Sequence, residues 1–161
     1  MNWAPAQPPA ALHSWLNETG SLTARLEANF GTISVDIQFE GEAPLYPYEQ
    51  QTLNTQRAWV REVILRQQSN HTPLLWARTC IPDMQNPLNP WQNVRKIGSK
   101  PLGSLLFGLK GLKSTAFSQG KFLQNQKRGE TPLWHDHWGR WRILYQQDFP
   151  LLLTEVFLFY E

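Results

Sequence analysis

Residues 149–160 constrain the fold more than any other part of this chain. They form the most apolar run in the sequence, with one carboxylate, Glu155, near its middle. A run this short and rich in Phe, Leu and Val predicts a buried β-strand, because a membrane-spanning helix needs about 20 apolar residues. Alternation places on one face of that strand Leu151, Leu153, Glu155, Phe157 and Phe159. A carboxylate there is costly unless it is paired or used, so we expect a partner elsewhere in the chain.

Length and composition predict a single domain with a substantial core. The chain has 161 residues, of which 41% are hydrophobic and 17% are charged. The charged fraction lies below the roughly 25% of an average soluble domain, which favours extensive burial. The formal net charge of +2 is too small to indicate nucleic-acid binding, but it favours a small anionic ligand.

The cysteine count and the N-terminal segment predict the compartment. Cys80 is the single cysteine, so the chain has no internal disulfide framework and a reducing environment is expected. Residues 1–11 show neither a basic region nor an apolar one, so no signal peptide is predicted. We expect a monomer in the cytoplasm without membrane insertion, formed as one domain over residues 1–161. The Pro-rich residues 1–11 are expected to be a loosely ordered lead-in.

Hydrophobic periodicity predicts an α+β fold. Alternating or apolar segments that predict β-strands are residues 32–40, 57–66, 74–81, 138–146 and 149–160. Residues 12–16 and 21–29 predict short helices, with Ser21 as the N-cap of the second. Short strands, tight turns and few helices are typical of a single antiparallel β-sheet with helices packed on one face.

Two arginines on neighbouring strands are candidate anion-binding groups. Arg61 shares a strand face with Trp59 and Val63, and Arg78 shares one with Trp76 on the next strand. A guanidinium offers a carboxylate a bidentate fork, and two of them suit a ligand with more than one carboxylate. The commoner arrangement is a strand arginine that extends its head to solvent, and the pattern alone leaves both readings open.

Other candidate sites have weaker support. Residues 98–103 form a small-residue turn whose backbone can approach a ligand, although it matches neither a P-loop nor a dinucleotide fingerprint. His135, Asp136 and His137 offer metal-ligand chemistry, but no second ligand pair follows at a usual spacing. We therefore predict no metal site, and a core role for Cys80.

Taken together, these segments resemble those of the chorismate pyruvate-lyases, enzymes that release pyruvate from chorismate and leave 4-hydroxybenzoate. The matching segments follow the family's order at residues 59–65, 78–82, 100–107, 138–140 and 150–158. The ordered set, with Arg61 and Glu155 in place, carries the resemblance. It implies an antiparallel sheet with helical flaps over a buried ligand site, no cofactor, and a product that enters ubiquinone synthesis.

The resemblance also implies roles for particular residues. By this likeness Arg61 binds the ring carboxylate, Glu155 meets the 4-hydroxyl group, and Leu102 contributes a backbone contact. For Glu155 the chemistry leaves two roles open, that of a proton-handling group at the ether oxygen and that of a hydrogen-bond partner of the phenol formed there. Leu22 takes the place of a flap methionine, and Arg78 is also implicated in catalysis. The chain departs from the family pattern at Leu22, at Ala77 in place of the usual glycine, and in a longer segment at residues 125–137. The rival interpretation is a non-catalytic effector-binding domain of the same fold, which binds a small anion without turning it over.

Overall fold

A computed structural model describes residues 3–4, 7–106, 108–122 and 137–159. Within these residues eight strands form one antiparallel sheet of order β1-β6-β7-β8-β4-β3-β2, in which β5 also pairs with β7. The strands are β1 (Trp3–Ala4), β2 (Ile33–Pro44), β3 (Arg57–Gln67), β4 (Pro73–Ile81), β5 (Lys113–Ser114), β6 (Ser118–Phe122), β7 (Trp138–Gln146) and β8 (Phe149–Phe157). The predicted α+β fold with an antiparallel sheet is confirmed.

Four short α-helices and a 3₁₀ helix accompany the sheet in the described ranges. They are α1 (Ala10–Leu16), α2 (Leu22–Phe30), α3 (Pro47–Leu53), the 3₁₀ helix (Pro90–Lys96) and α4 (Gly103–Leu106). As the sequence predicts, Ser21 caps α2, because its Oγ accepts a hydrogen bond from Ala24 N at 3.1 Å. The helix ends at Gly31, whose φ of 83° lies in the left-handed region that glycine tolerates.

The two faces of the sheet carry different cores. One face, here called the cavity face, holds odd-numbered residues of β3, β4 and β8, including Arg61 and Glu155. Helices α1 and α2 cover one end of it through a cluster that includes Leu26 and Phe157, and the 3₁₀ helix and Leu102 cover the other. The opposite face, here called the α3 face, packs Trp76, Cys80 and neighbouring apolar residues under α3.

Residues 41–51 have the composition of a loop, but helix α3 begins within them, at Pro47. The two prolines there suggest an irregular segment, but Pro47 is the first residue of the helix, where a missing N–H leaves no bond unmade. Tyr46 N also donates to Glu49 Oε1 at 2.8 Å, which stabilises the first turn. Residues 41–44 extend β2 rather than form a loop.

A buried ion pair joins α3 to the sheet. Arg78 Nε and Nη2 donate to the two carboxylate oxygens of Glu49 at 2.7 and 3.1 Å, and Nη1 donates to Glu62 Oε1 at 3.1 Å. Cys80 Sγ lies 3.2 Å from Glu49 Oε2. Burial raises the pKa of the Cys80 thiol well above its ordinary value, and the nearby Glu49 carboxylate adds to the shift. The predicted core role of Cys80 agrees with this position.

Part of the predicted loose lead-in belongs to the core. Trp3 is 6% exposed, and its indole stacks on Trp141 with ring centroids 4.2 Å apart. Trp3 and Ala4 pair with β6, and α1 begins at Ala10. The prediction is wrong for these positions, because burial of a large aromatic ring outweighs the poor local propensity of a Pro-rich segment. In the described ranges no helix is long and apolar enough to cross a membrane.

Replacement of Arg78 by methionine is expected to destabilise the fold. It leaves the fully buried Glu49 carboxylate without its cation, and breaking such a pair costs about 3–5 kcal/mol. Urea unfolding of Arg78→Met measures the loss, with Arg95→Met as the control, since Arg95 is exposed and makes one 3.4 Å contact with Gln92. A free energy of unfolding for Arg78→Met within about 1 kcal/mol of the control would contradict a structural role.

Gly139 lies where β7 and β8 approach too closely for a side chain. A Cβ atom there would lie 2.6 Å from the Glu155 carbonyl oxygen and 2.9 Å from Val156 Cγ2. We expect Gly139→Ala to lower the free energy of unfolding by about 1–3 kcal/mol through overpacking. Gly108→Ala is the matched control, because its nearest neighbour would be 3.8 Å away. Equal stability of the two variants would show that β7 and β8 are not in this contact.

Candidate active site

A cavity of about 250 Å³ lies on the cavity face, between the sheet and two covering segments. Strands β7, β8, β4 and β3 form its floor, residues 19–23 cover it from the start of α2, and residues 101–106 cover it from the other side. Leu22 and Leu102, one from each cover, are 7% and 8% exposed. The volume lies just below the usual range of ligand pockets, which suits a ligand with a single ring.

Strand register places the polar side chains of the floor in two rows. The first row is Arg140, Glu155, Ala77 and Val63; the second is Arg142, Leu153, Thr79 and Arg61. Adjacent strands lie about 4.8 Å apart, so the backbones of Arg61 and Glu155 are separated by about 10 Å across the sheet. The structure thus brings Arg61, Glu155, Leu22 and Leu102 to one cavity.

Glu155 has a direct cationic partner on the neighbouring strand. Arg140 Nε donates to Glu155 Oε1 at 2.9 Å, and Arg140 Nη1 donates to the carbonyl oxygens of Leu16 and Glu18 at 3.3 and 2.6 Å. The side chains of Arg140 and Glu155 are 3% and 13% exposed. The carboxylate is therefore held at the cavity as one half of an ion pair, and the same arginine ties it to the end of α1.

Arg61 is buried and held at the opposite side of the floor. It is 2% exposed, and its Nη2 donates to the carbonyl oxygens of Gly98 and Lys100 at 3.1 and 2.9 Å. Its Nε lies 3.3 Å from Glu40 Oε2, an ion pair without hydrogen-bond alignment. Burial lowers the pKa of Arg61 and the Glu40 carboxylate opposes that shift, so the guanidinium stays charged.

The turn at residues 98–103 contacts a side chain of the site through its carbonyl oxygens, which the sequence does not predict. The sequence suggests main-chain N–H groups that donate to a ligand, whereas the carbonyls of Gly98 and Lys100 accept from Arg61. Gly98 adopts a φ of 61°, a left-handed conformation that glycine allows without strain. The turn therefore orients the guanidinium and brings Leu102 to the cavity.

Arg78 does not share the cavity with Arg61, and the prediction that it does is wrong. In the β3–β4 register Arg61 lies opposite Thr79, and Arg78 lies opposite Glu62. Residues paired across strands point to the same face, so Arg78 points to the α3 face. There its guanidinium is occupied by Glu49 and Glu62. The sequence predicts correctly which residues of each strand share a face. Which face of β4 lies beside which face of β3 depends on the register of the two strands.

Two arginines of β7 replace Arg78 in the cavity, and the sequence reasoning missed both as site residues. Arg140 and Arg142 line it together, and the ring of Phe117 lies 4.0 and 4.3 Å from their guanidinium carbons. Alternation over residues 138–146 already puts both on one face with Leu144, which is the signal that could have found them. The pairing of Arg140 with Glu155 depends on the position of β7 beside β8.

The described residues give no support to a metal centre. In the ranges that the structure describes, no three His, Cys, Asp or Glu side chains lie close enough to hold an ion. His137 precedes β7, while His135 and Asp136 of the same motif lie outside the described residues. The sheet positions near the cavity carry arginines and one glutamate, a set that suits an anion.

Comparison with known proteins finds relatives that match nearly the whole chain. A chorismate pyruvate-lyase of Hamiltonella defensa is 35% identical over 154 residues, which cover 93% of this chain and 79% of that protein. A probable chorismate pyruvate-lyase of Hydrogenovibrio crunogenus is 32% identical, covering 98% of this chain and 90% of that protein. The chorismate pyruvate-lyase of Pectobacterium carotovorum is 34% identical, with 95% and 82% covered.

Among solved structures, the effector domain of PhnF from Mycobacterium smegmatis has a similar fold. It matches with a TM-score of 0.53 at 13% identity, covering 87% of this chain and 89% of that domain. At this identity the likeness concerns the fold alone. The sequence pattern of the chorismate lyase family, by contrast, matches residues 3–161. Because that match spans nearly the whole chain, and two chorismate pyruvate-lyases or probable ones are 32% and 35% identical over more than 90% of it, this chain belongs to the chorismate lyase family.

Proposed function

We propose that this chain is a carbon–oxygen lyase that converts chorismate into pyruvate and 4-hydroxybenzoate. The observation that carries the proposal is a single-ring cavity with a buried guanidinium, Arg61, and an ion-paired carboxylate, Glu155, on its floor. Family membership supplies the reaction class, and the relatives named above carry the substrate in their names. The geometry supports the placement of one ring between these two side chains.

Arg61 is suited to bind the carboxylate on the substrate ring. Its Nη2 is held by two backbone carbonyls, so the plane of the guanidinium is fixed before a ligand arrives. A charge-assisted bond from a fixed donor costs little side-chain entropy on binding. The Glu40 carboxylate only partly balances the charge of Arg61, so the guanidinium can still bind a second anion.

Glu155 is suited to meet the hydroxyl group at the far end of the ring. The ring carboxylate and the 4-hydroxyl group are para to one another, and the two protein groups are two strands apart on the floor. Because Arg140 already donates to Oε1, Glu155 acts here as an acceptor. Its carboxylate then accepts a hydrogen bond from the ring hydroxyl group and lies beside the ring carbon that loses hydrogen.

In this reaction the main tasks of the protein are to position the substrate and to exclude water. The ring–oxygen bond to the enolpyruvyl group breaks, hydrogen leaves the adjacent ring carbon as a proton, and the enolpyruvyl methylene gains a proton to give pyruvate. The ring becomes aromatic, so the substrate supplies the driving force. Leu22 and Leu102 exclude water above the ring, and Arg61 and Glu155 fix it below.

The wider role follows from the same proposal. 4-Hydroxybenzoate is the aromatic acid that ubiquinone synthesis starts from, so we propose that the chain acts at that step as a cytoplasmic monomer. The elimination leaves no net oxidation or reduction between substrate and products, so the proposal invokes no cofactor. The family match and the names of the relatives support the lyase reaction on which this wider role rests.

A non-catalytic effector domain is the second candidate, because the PhnF effector domain shares the fold. Such a domain would bind an anion in the same cavity and release nothing. Incubation of the protein with chorismate separates the two. We expect equimolar pyruvate, measured by a coupled dehydrogenase assay, and 4-hydroxybenzoate, measured by chromatography. Saturable binding of chorismate without pyruvate release would favour the effector domain.

Replacement of Glu155 by glutamine tests the acceptor. Glu155→Gln keeps the size of the side chain but removes the negative charge that interacts with Arg140 and, in the proposal, with the substrate hydroxyl group. We expect kcat/KM to fall by about 100-fold or more, as for other proton-handling groups. Glu27→Gln, at an exposed position of α2, is the control. Wild-type turnover and wild-type product affinity in Glu155→Gln would remove Glu155 from the mechanism.

Replacement of Arg61 by alanine tests the ring-carboxylate contact. Loss of a charge-assisted hydrogen bond is worth about 1.5–3 kcal/mol, so we expect a rise in KM and a 4-hydroxybenzoate Kd about 10- to 100-fold weaker. Calorimetric titration of 4-hydroxybenzoate measures the second effect, with the exposed Arg95→Ala as control. Unchanged product affinity in Arg61→Ala would defeat the assignment.

A further inference from the structure

Arg142 is a cation of the cavity for which the described part of the chain offers no anionic partner. Its Nε–H is buried and, among the described residues, donates to no hydrogen-bond acceptor. No carboxylate of the described part of the chain lies within ion-pair distance of it. The other two arginines of the floor differ, since Arg61 has Glu40 at 3.3 Å and Arg140 has Glu155 at 2.9 Å.

Burial makes this arrangement costly for the protein alone. Desolvation lowers the pKa of Arg142, Arg140 lowers it further, and the charge of Glu155 opposes both. Buried polar groups in folded proteins are nearly always hydrogen-bonded, so an exception on a cavity wall calls for a ligand. The ring of Phe117, 4.3 Å from the guanidinium carbon, supports the side chain but offers no acceptor in the plane of its N–H groups.

The separation of Arg142 and Arg61 indicates what kind of ligand would contact both guanidinium groups. The two arginines occupy the ends of one floor row, with Leu153 and Thr79 between them. Their backbones are three strand spacings apart, about 14 Å, and both side chains reach into the same cavity of about 250 Å³. One small molecule therefore lies within reach of both guanidinium groups, provided that it carries an anionic group at each end.

We propose that Arg142 binds the second carboxylate of the substrate, the one on the enolpyruvyl side chain, and makes the cavity selective for a dianion. The inference rests on the proposed lyase function and deepens it. Arg61 then holds the ring carboxylate, Glu155 meets the ring hydroxyl, and Arg142 holds the leaving group.

The assignment gives Arg142 a part in the bond-breaking step. As the ring–oxygen bond breaks, negative charge moves onto the enolpyruvate, and a guanidinium fixed beside that group stabilises the charge. 4-Hydroxybenzoate has a single carboxylate and makes no use of Arg142. The substrate therefore depends on two guanidinium groups, whereas the aromatic product depends on Arg61 alone.

Three variants test the proposal: Arg142→Leu, Arg142→Lys and Arg95→Leu. The first removes the charge and the second keeps it, while the third removes one positive charge from an exposed position of the 3₁₀ helix. Steady-state kinetics with chorismate and calorimetry with chorismate and with 4-hydroxybenzoate are measured for each. Thermal unfolding is followed in parallel.

For Arg142→Leu we expect the chorismate KM to rise about 10- to 100-fold, while the 4-hydroxybenzoate Kd changes less than about twofold. Arg142→Lys recovers part of the loss because it restores the charge, and Arg95→Leu behaves as wild type. This split between substrate and product is the signature that a merely structural role would not produce.

Two results would overturn the assignment. An unchanged chorismate KM with a lowered unfolding temperature would show that Arg142 only packs on Phe117. Equal weakening of chorismate and 4-hydroxybenzoate would show that it serves the shared ring. If the wild-type protein releases no pyruvate, the lyase proposal fails separately. Calorimetric titration of chorismate into the wild type and Arg142→Leu then still decides whether Arg142 binds the second carboxylate.

Discussion

The ion pair between Arg140 and Glu155 is the interaction on which the arrangement of the cavity depends. Glu155 lies in the most apolar strand of the chain, where a lone carboxylate would be strongly destabilising. Arg140 compensates it from the next strand and continues to the carbonyl oxygens of Leu16 and Glu18. One guanidinium thereby fixes the carboxylate toward the ligand and anchors the segment that leads into the covering helix α2.

Buried arginines and glutamates occur on both faces of the sheet, but their roles differ between the two faces. On the α3 face, Arg78 makes hydrogen bonds to both Glu49 and Glu62, and none of the three lines the cavity described above. On the cavity face, the N–H groups of Arg61 and Arg142 are only partly used by the protein. A saturated cluster stabilises the fold, whereas a partly satisfied one beside a cavity is available to an anion.

The sequence predicts the elements well where local pattern decides them. The strand that the sequence predicts over residues 138–146 is present as β7, and β3 and β4 each differ from the predicted strand by one residue at one end. Strand parity alone placed Glu155 on a face with large apolar residues. The resemblance to the lyases added Leu22 and Leu102, and both line the same cavity as Arg61 and Glu155.

What local pattern does not contain is the alignment of strands that are distant in sequence. The register that turns Arg78 away from Arg61 is a property of two paired strands, and the neighbour of Glu155 depends on β7 lying beside β8. Arg140 and Arg142 were therefore missed as site residues. Trp3 was missed for a related reason, since its stacking on Trp141 is a long-range contact that outweighs local propensity.

The orientation of a bound ring tests most directly whether Arg61 and Glu155 hold one molecule between them. A crystal structure of the protein with 4-hydroxybenzoate measures it. We expect the carboxylate within hydrogen-bond distance of the Arg61 guanidinium and the hydroxyl oxygen within hydrogen-bond distance of Glu155, beneath Leu22 and Leu102. A ring bound in the reverse orientation, or outside this cavity, would contradict the proposed arrangement.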